Sequence, residues 1–227
     1  MNTQLSFDLP ARAALGRDDF FISPSNQIAV SMIDSWPHWS NQKLLLSGPE
    51  GAGKTHLTHV WATQSGATII DAINLSIDAV PGLSRSPVAV ENIHTIASLE
   101  TQQTALFYLY NLCVETGQSI LFTGRKAPQH WQLTLPDLES RLRGATVAQL
   151  SPPDDTLLRA VLIKLFSDRQ LSPSPELITY VVRRIDRSFD AAQKLVLALD
   201  AISLAEKRPL SRRLAARLLE PAQENLL

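Results

Sequence analysis

The octet at 48–55, Gly-Pro-Glu-Gly-Ala-Gly-Lys-Thr, entered from the apolar run Lys43-Leu44-Leu45-Leu46-Ser47, limits more than any other feature what this chain can fold into. A short apolar run reads as a buried strand, and the octet matches the phosphate-loop pattern G-x-x-x-x-G-K-[ST] in the strand-to-helix context that the pattern needs. Gly48, Gly51 and Gly53 permit a tight turn whose backbone N–H groups point inward at phosphate oxygens. Lys54 brings a cation to the β and γ phosphates and Thr55 a hydroxyl for magnesium, and the helix that starts there adds the positive end of its dipole. Pro49, Glu50, Ala52 and His56 complete the segment expected around a bound nucleotide, ADP or ATP.

A strand that delivers such a loop belongs in a parallel sheet, and the rest of the chain supplies the sheet's other members. Further strands are predicted over 68–70, 87–90, 119–123 and 146–148, separated by helical patterns over 25–35, 54–64, 99–116 and 137–142. That alternation is the signature of a three-layered α/β domain with a parallel sheet. After Leu150 the character changes: Ser151-Pro152-Pro153-Asp154-Asp155 reads as a hinge with a helix cap. Beyond it the pattern predicts helices alone, over 155–170, 174–184, 188–206 and 211–220. The expected organisation is an N-terminal peptide over 1–10, an α/β nucleotide-binding domain over 11–150 and a small helical lid over 151–227.

Composition narrows the setting. The 227 residues are 44% hydrophobic and 19% charged, ordinary for a globular protein, and no stretch approaches the roughly 20 apolar residues that span a bilayer. Residues 1–10 have neither a basic region nor a continuous apolar one, so secretion is unsupported and a cytoplasmic location with no membrane partner is expected. The lone Cys113 falls at helical spacing among apolar residues, which suits packing better than reactivity. A net charge of −1 lacks the basic excess of a domain that grips many nucleic-acid phosphates, so contact with DNA is expected only indirectly. His56 and His59 share a helix face without the further ligands that a metal site needs. Trp36 and Trp39, around Pro37, read as a loop packed on the core.

A phosphate-loop α/β core followed by a small helical domain resembles the AAA+ ATPases, and several segments resemble relatives of the bacterial replication initiator DnaA, in particular the Hda (HdaA) family. Gln4-Leu5-Ser6-Phe7-Asp8-Leu9 is similar to the short peptide by which replication proteins dock on the sliding clamp, with Leu5, Phe7 and Leu9 filling an apolar pocket and Gln4 fixing orientation. Phe20-Phe21-Ile22-Ser23-Pro24-Ser25-Asn26 resembles the family's stretch beside the adenine, although Ser25 or Asn26 would also serve as a plain helix cap. Leu135-Pro136-Asp137-Leu138-Glu139-Ser140-Arg141-Leu142 resembles the segment that carries the family's arginine finger. The resemblance implies that Arg141 reaches the nucleotide of a neighbouring molecule, while an isolated arginine would more commonly pair with a helix acid.

The chain departs from the pattern at three places. Val88-Ala89-Val90-Glu91-Asn92 resembles the Walker B segment, with Glu91 supporting magnesium and Asn92 where a base is usual; an amide cannot accept the proton of an attacking water, so weak intrinsic hydrolysis is expected. Thr123-Gly124-Arg125 falls where these proteins sense the γ-phosphate, with Thr123 as the candidate. Asp190 takes the place of the lid's sensing arginine, leaving Arg187 or Lys194 as substitutes. The implied function is a nucleotide-binding regulator, possible as a homo-oligomer, that docks on the DNA-loaded sliding clamp and stimulates hydrolysis of ATP held by DnaA. An autonomous AAA+ ATPase acting as a loader or motor is the alternative.

Overall fold

The computed structural model describes residues 21–219. Five strands form one sheet: β1 (Lys43–Ser47), β2 (Thr68–Asp71), β3 (Val88–Glu91), β4 (Ile120–Gly124) and β5 (Thr146–Gln149). Their order is β2-β3-β4-β1-β5 and every pairing is parallel. The helices of this part are α1 (Gln27–Asp34), α2 (Lys54–Ser65), α3 (Val80–Leu83), α4 (Glu100–Thr116) and α5 (Pro136–Arg143).

Alternation along the strands divides the core in two. Leu45, Val88, Val90, Ile120 and Phe122 face one side, where Ala105, Leu106 and Leu109 of α4 and Leu138 and Leu142 of α5 close over them. Leu44, Leu46, Ala89 and Leu121 face the other, against Ala29, Val30 and Ile33 of α1 and Leu57 and Trp61 of α2. The register lines up Val90, Phe122 and Leu45 in one row across β3, β4 and β1. Strands covered on both faces read as continuous apolar runs, which is why Leu44-Leu45-Leu46 is unbroken. On the second face Trp39 stacks on Trp61 with centroids 5.1 Å apart, and Trp36 meets Trp61 edge-on at 6.4 Å, so these tryptophans pack the core as their sequence context predicts.

The remaining helices are α6 (Asp155–Ser167), α7 (Pro175–Val182), α8 (Phe189–Glu206) and α9 (Arg212–Leu219). They enclose a core of their own around Leu158, Leu162, Phe166, Leu177, Val181 and Leu199. All four are started by side-chain caps: Asp154 accepts from Leu157 N–H at 2.8 Å, Ser174 from Leu177 N–H at 3.2 Å, Ser188 from Ala191 N–H at 3.0 Å and Ser211 from Leu214 N–H at 3.3 Å. Helix α6 stops three residues short of the predicted 170, because Gln170 adopts a left-handed φ of 58° that turns the chain. Asn26 precedes α1 but does not cap it. Its Oδ1 accepts from Ser23 N–H at 2.8 Å and its Nδ2 donates to the Phe21 carbonyl at 2.9 Å, so the side chain braces the incoming segment instead.

Phe166 is fully buried at the centre of the helical core. Phe166→Ala is expected to destabilise this part by about 3–5 kcal/mol, measured by urea denaturation followed by far-UV circular dichroism.

Candidate functional site

A parallel sheet delivers the carboxyl ends of its strands to one edge, and here those ends carry polar residues. β1 ends at Ser47 and runs into the phosphate loop, β2 ends at Asp71, β3 at Glu91 and β4 at Gly124. Register places Ser47 opposite Gly124 and Asp71 opposite Glu91, and Gly48 N–H donates to the Gly124 carbonyl at 3.2 Å, tying the loop's first residue to β4.

The loop turns through Gly51 at φ 71° and Gly53 at φ 95°, both left-handed. At each of them the lid also comes too close for a side chain. A Cβ on Gly51 would lie 2.3 Å from Ser188 Cβ, and one on Gly53 would lie 2.7 Å from the Phe189 ring. Phe189 N–H donates to the Gly51 carbonyl at 2.9 Å. The start of α8 is thus seated directly on the phosphate loop. Ala52 is buried between the two glycines, Pro49 and Glu50 lie on the exposed side, and Thr55 and His56 occupy the first turn of α2.

Lys54 is buried and its Nζ donates to the carbonyls of Gly48 and Pro49, each at 2.7 Å. Burial holds its pKa below the usual lysine value, the nearby Arg125 charge pushes in the same direction, and Glu50 and Glu91 oppose both. The ammonium therefore sits among charges that all belong to this edge of the sheet.

Asn92 follows β3 in a left-handed conformation, φ 58° and ψ 39°, which asparagine tolerates better than most residues. Its N–H donates to Thr123 Oγ1 at 3.0 Å and its Nδ2 to Asp71 Oδ2 at 2.6 Å. The second bond orients the amide so that Nδ2 is committed to Asp71. Asp71 also accepts from Ile73 N–H at 3.1 Å through Oδ1. Beside this pair, Glu91 Oε1 and His94 Nδ1 are buried and have no hydrogen-bond partner among the described residues. A carboxylate oxygen buried in that state next to Lys54 fits a metal-bound water, and Thr55, exposed on α2, fits as the direct oxygen ligand.

Arg141 lies on the outer side of α5, whose Leu138 and Leu142 face the core. Its guanidinium is 5.8 Å from the centre of the Tyr110 ring, while the helix's ion pair is made by Arg143, 2.7 Å from Glu139. The same ring carries Lys43 Nζ 4.3 Å from its centre, at the amino end of β1, the end away from the loop. In the lid, Arg187 is turned to the hinge, 2.7 Å from Asp155 and donating to the Pro153 carbonyl at 3.4 Å; Lys194 pairs with Asp190 at 2.7 Å. Gln4, Leu5, Phe7 and Leu9 lie outside the described residues, as does Phe20.

Asp71, His94 and the seat formed by Ser188 and Phe189 have no place in the sequence motifs. Asp71 leaves one trace, a carboxylate closing an apolar strand. The contact of Phe189 with Gly53, 136 positions away in the chain, leaves none.

The architecture is shared with proteins of known structure. Domain III of the Thermotoga maritima replication initiation protein DnaA superposes with a TM-score of 0.79 at 17% identity, over 94% of this chain and all of that one. This is an AAA+ fold. DnaA from Aquifex aeolicus bound to AMPPCP matches this chain with a TM-score of 0.66 at 17% identity, over 84% of this chain and 67% of that one. The Thermotoga maritima RuvB Holliday junction branch migration motor matches at 0.63 and 16% identity, over 78% and 61%. The chain thus spans about two thirds of that DnaA and less of RuvB. No protein-family model matches it. Among the described residues, no helix is long and apolar enough to cross a membrane.

Two outcomes follow from the site. Burial is the main cause that keeps the His94 pKa below the ordinary imidazole value, Arg125 and Lys54 add to it, and Asp71 and Glu50 oppose it. Because the folded pKa is depressed, the unfolded chain takes up this proton first, and the imidazole's contribution to stability is lost as pH falls through about 6.5. An NMR titration of His94 is expected to show a midpoint below 6.5 that moves upward in Arg125→Ala. Gly51→Ala, which combines left-handed strain with the Ser188 clash, is expected to cost about 1–3 kcal/mol in thermal or chemical unfolding.

Proposed function

We propose that this chain is a nucleotide-binding regulator of replication initiation that stimulates hydrolysis of ATP held by DnaA, as members of the Hda (HdaA) family do. The observation that carries the reading is the separation of two elements on one DnaA-like fold. Lys54 and the glycine loop lie at the carboxyl edge of the sheet and suit a phosphate cradle, whereas Arg141 stands over Tyr110, the ring that also carries Lys43 at the amino end of β1. An arginine so placed suits a phosphate on a neighbouring molecule better than one on its own.

In this reading ADP or ATP occupies Gly48, Pro49, Glu50, Gly51, Ala52, Gly53, Lys54, Thr55 and His56. Thr55 and, through water, Glu91 would hold magnesium, which when bound neutralises phosphate charge. Lys54 exchanges its bonds to the Gly48 and Pro49 carbonyls for phosphate oxygens and so orients the β and γ phosphates. Asn92, an amide whose Nδ2 is held by Asp71, cannot take a proton from water, which favours a slow intrinsic ATPase and disfavours the loader or motor alternative. Arg141 instead lends its planar guanidinium to charge on the phosphoryl group transferring in DnaA. The Gln4–Leu9 peptide recruits the DNA-loaded sliding clamp, so that DNA is touched only through the clamp, in the cytoplasm.

The test follows hydrolysis of ATP pre-bound to DnaA with clamp loaded on DNA. Wild-type chain is expected to stimulate it; Arg141→Ala is expected to lower the stimulated rate by about 10³-fold or to the unstimulated level, the range that removal of an arginine finger commands. Leu5→Ala with Phe7→Ala is expected to remove the dependence on clamp. No stimulation by the wild type with active partners would overturn the proposal.

A further inference from the structure

Glu50 stands at the third position of the phosphate loop, where the motif demands no particular side chain. Its Oε2 accepts from Arg125 Nη2 at 2.8 Å, and Arg125 is the residue immediately after β4. The same carboxylate bears electrostatically on Lys54, on His94 and on Lys194 of the lid, while Arg125 bears on Lys54 and His94. One acid of the loop is therefore shared by the loop's own lysine, a core arginine and a lid lysine. Lys194 is itself held 2.7 Å from Asp190, so Arg125 is the cation whose bond to Glu50 is direct.

We propose that Glu50 is an internal competitor for the terminal phosphate of a nucleoside triphosphate, with Arg125 as the contested cation, and that this pair sets the site's choice between tri- and diphosphate. The inference rests on the nucleotide-binding reading of the loop. Lys54 of such a loop serves the β and γ phosphates; Gly124, the residue before Arg125, accepts from Gly48 N–H at 3.2 Å, so Arg125 leaves β4 beside the loop, where its guanidinium fork is available to the outermost phosphate. A diphosphate leaves the Glu50 to Arg125 bond intact. A triphosphate adds an anion that must take Arg125 from Glu50 and then lie beside the displaced carboxylate. The pair's side chains are 55% and 74% exposed, and ion pairs this open are weak, so a phosphate of higher charge can break it. What persists is the repulsion: an extra negative charge close to the terminal phosphate in a half-exposed site weakens binding about tenfold.

The experiment titrates ADP and the non-hydrolysable analogue AMPPCP, each with magnesium, into wild type, Glu50→Gln, Arg125→Gln and the double variant by calorimetry. Glu50→Gln is expected to shift the ratio of the two affinities about tenfold toward AMPPCP. Arg125→Gln is expected to shift it toward ADP, and the double variant to recover, relative to Arg125→Gln, the gain that removing the Glu50 charge gives. Both positions are exposed and outside the cores, and circular dichroism confirms that each variant is folded. A ratio unchanged by Glu50→Gln in a protein that binds both ligands overturns this role for Glu50 alone. A folded wild type that binds neither ligand overturns the nucleotide reading itself.

Discussion

The placement of β1 between β4 and β5 is the constraint on which the rest of the molecule depends. Fully buried and hydrogen-bonded on both sides, β1 cannot shift without disturbing both apolar faces, so its carboxyl end is a fixed point. The phosphate loop starts from that point, is tied to β4 at Gly124, and feeds α2, whose Leu57 and Trp61 return to the core below. Bonds from Lys54 to the Gly48 and Pro49 carbonyls and from Phe189 to the Gly51 carbonyl then hold the loop's curve. Its geometry is inherited from the strand before it and the helix after it, which is how a glycine-rich segment keeps a shape that three glycines would otherwise leave free.

The same logic explains what the sequence discloses. Signals that act over a few residues were legible: the apolar runs of all five strands, the helix cap within the hinge at 151–155, and the tryptophans packed on Trp61. Local chemistry dictates these, so local reading recovers them. Asn26 shows the limit of that rule. A good capping residue in a capping position bonds backward to Phe21 and Ser23, because the chain entering α1 needs bracing more than the helix needs a cap.

Features of the site that depend on juxtaposition were not legible. Asp71 and Asn92 meet across 21 positions because β2 and β3 pair in parallel, and nothing in either segment names the other. The sequence leaves Arg187 and Lys194 equivalent as lid cations, and only packing separates them: Arg187 turns to the hinge at Pro153 and Asp155, while Lys194 stays on the side that feels Glu50. Position 92 thus carries an ordered amide, held by the carboxylate at the end of the neighbouring strand.

The bond from Phe189 N–H to the Gly51 carbonyl gives the two cores a common moving part. A helix that rests on a glycine with no room for a methyl group cannot pivot independently of that glycine, so any swing of α8 reshapes the curve of backbone amides beneath it. In the proposed nucleotide-binding reading, lid angle and phosphate affinity are then coupled. A protein that grips the lid from outside would alter how long a nucleotide stays bound without touching it, and reciprocally the nucleotide would be read at the lid's outer surface, far from any phosphate.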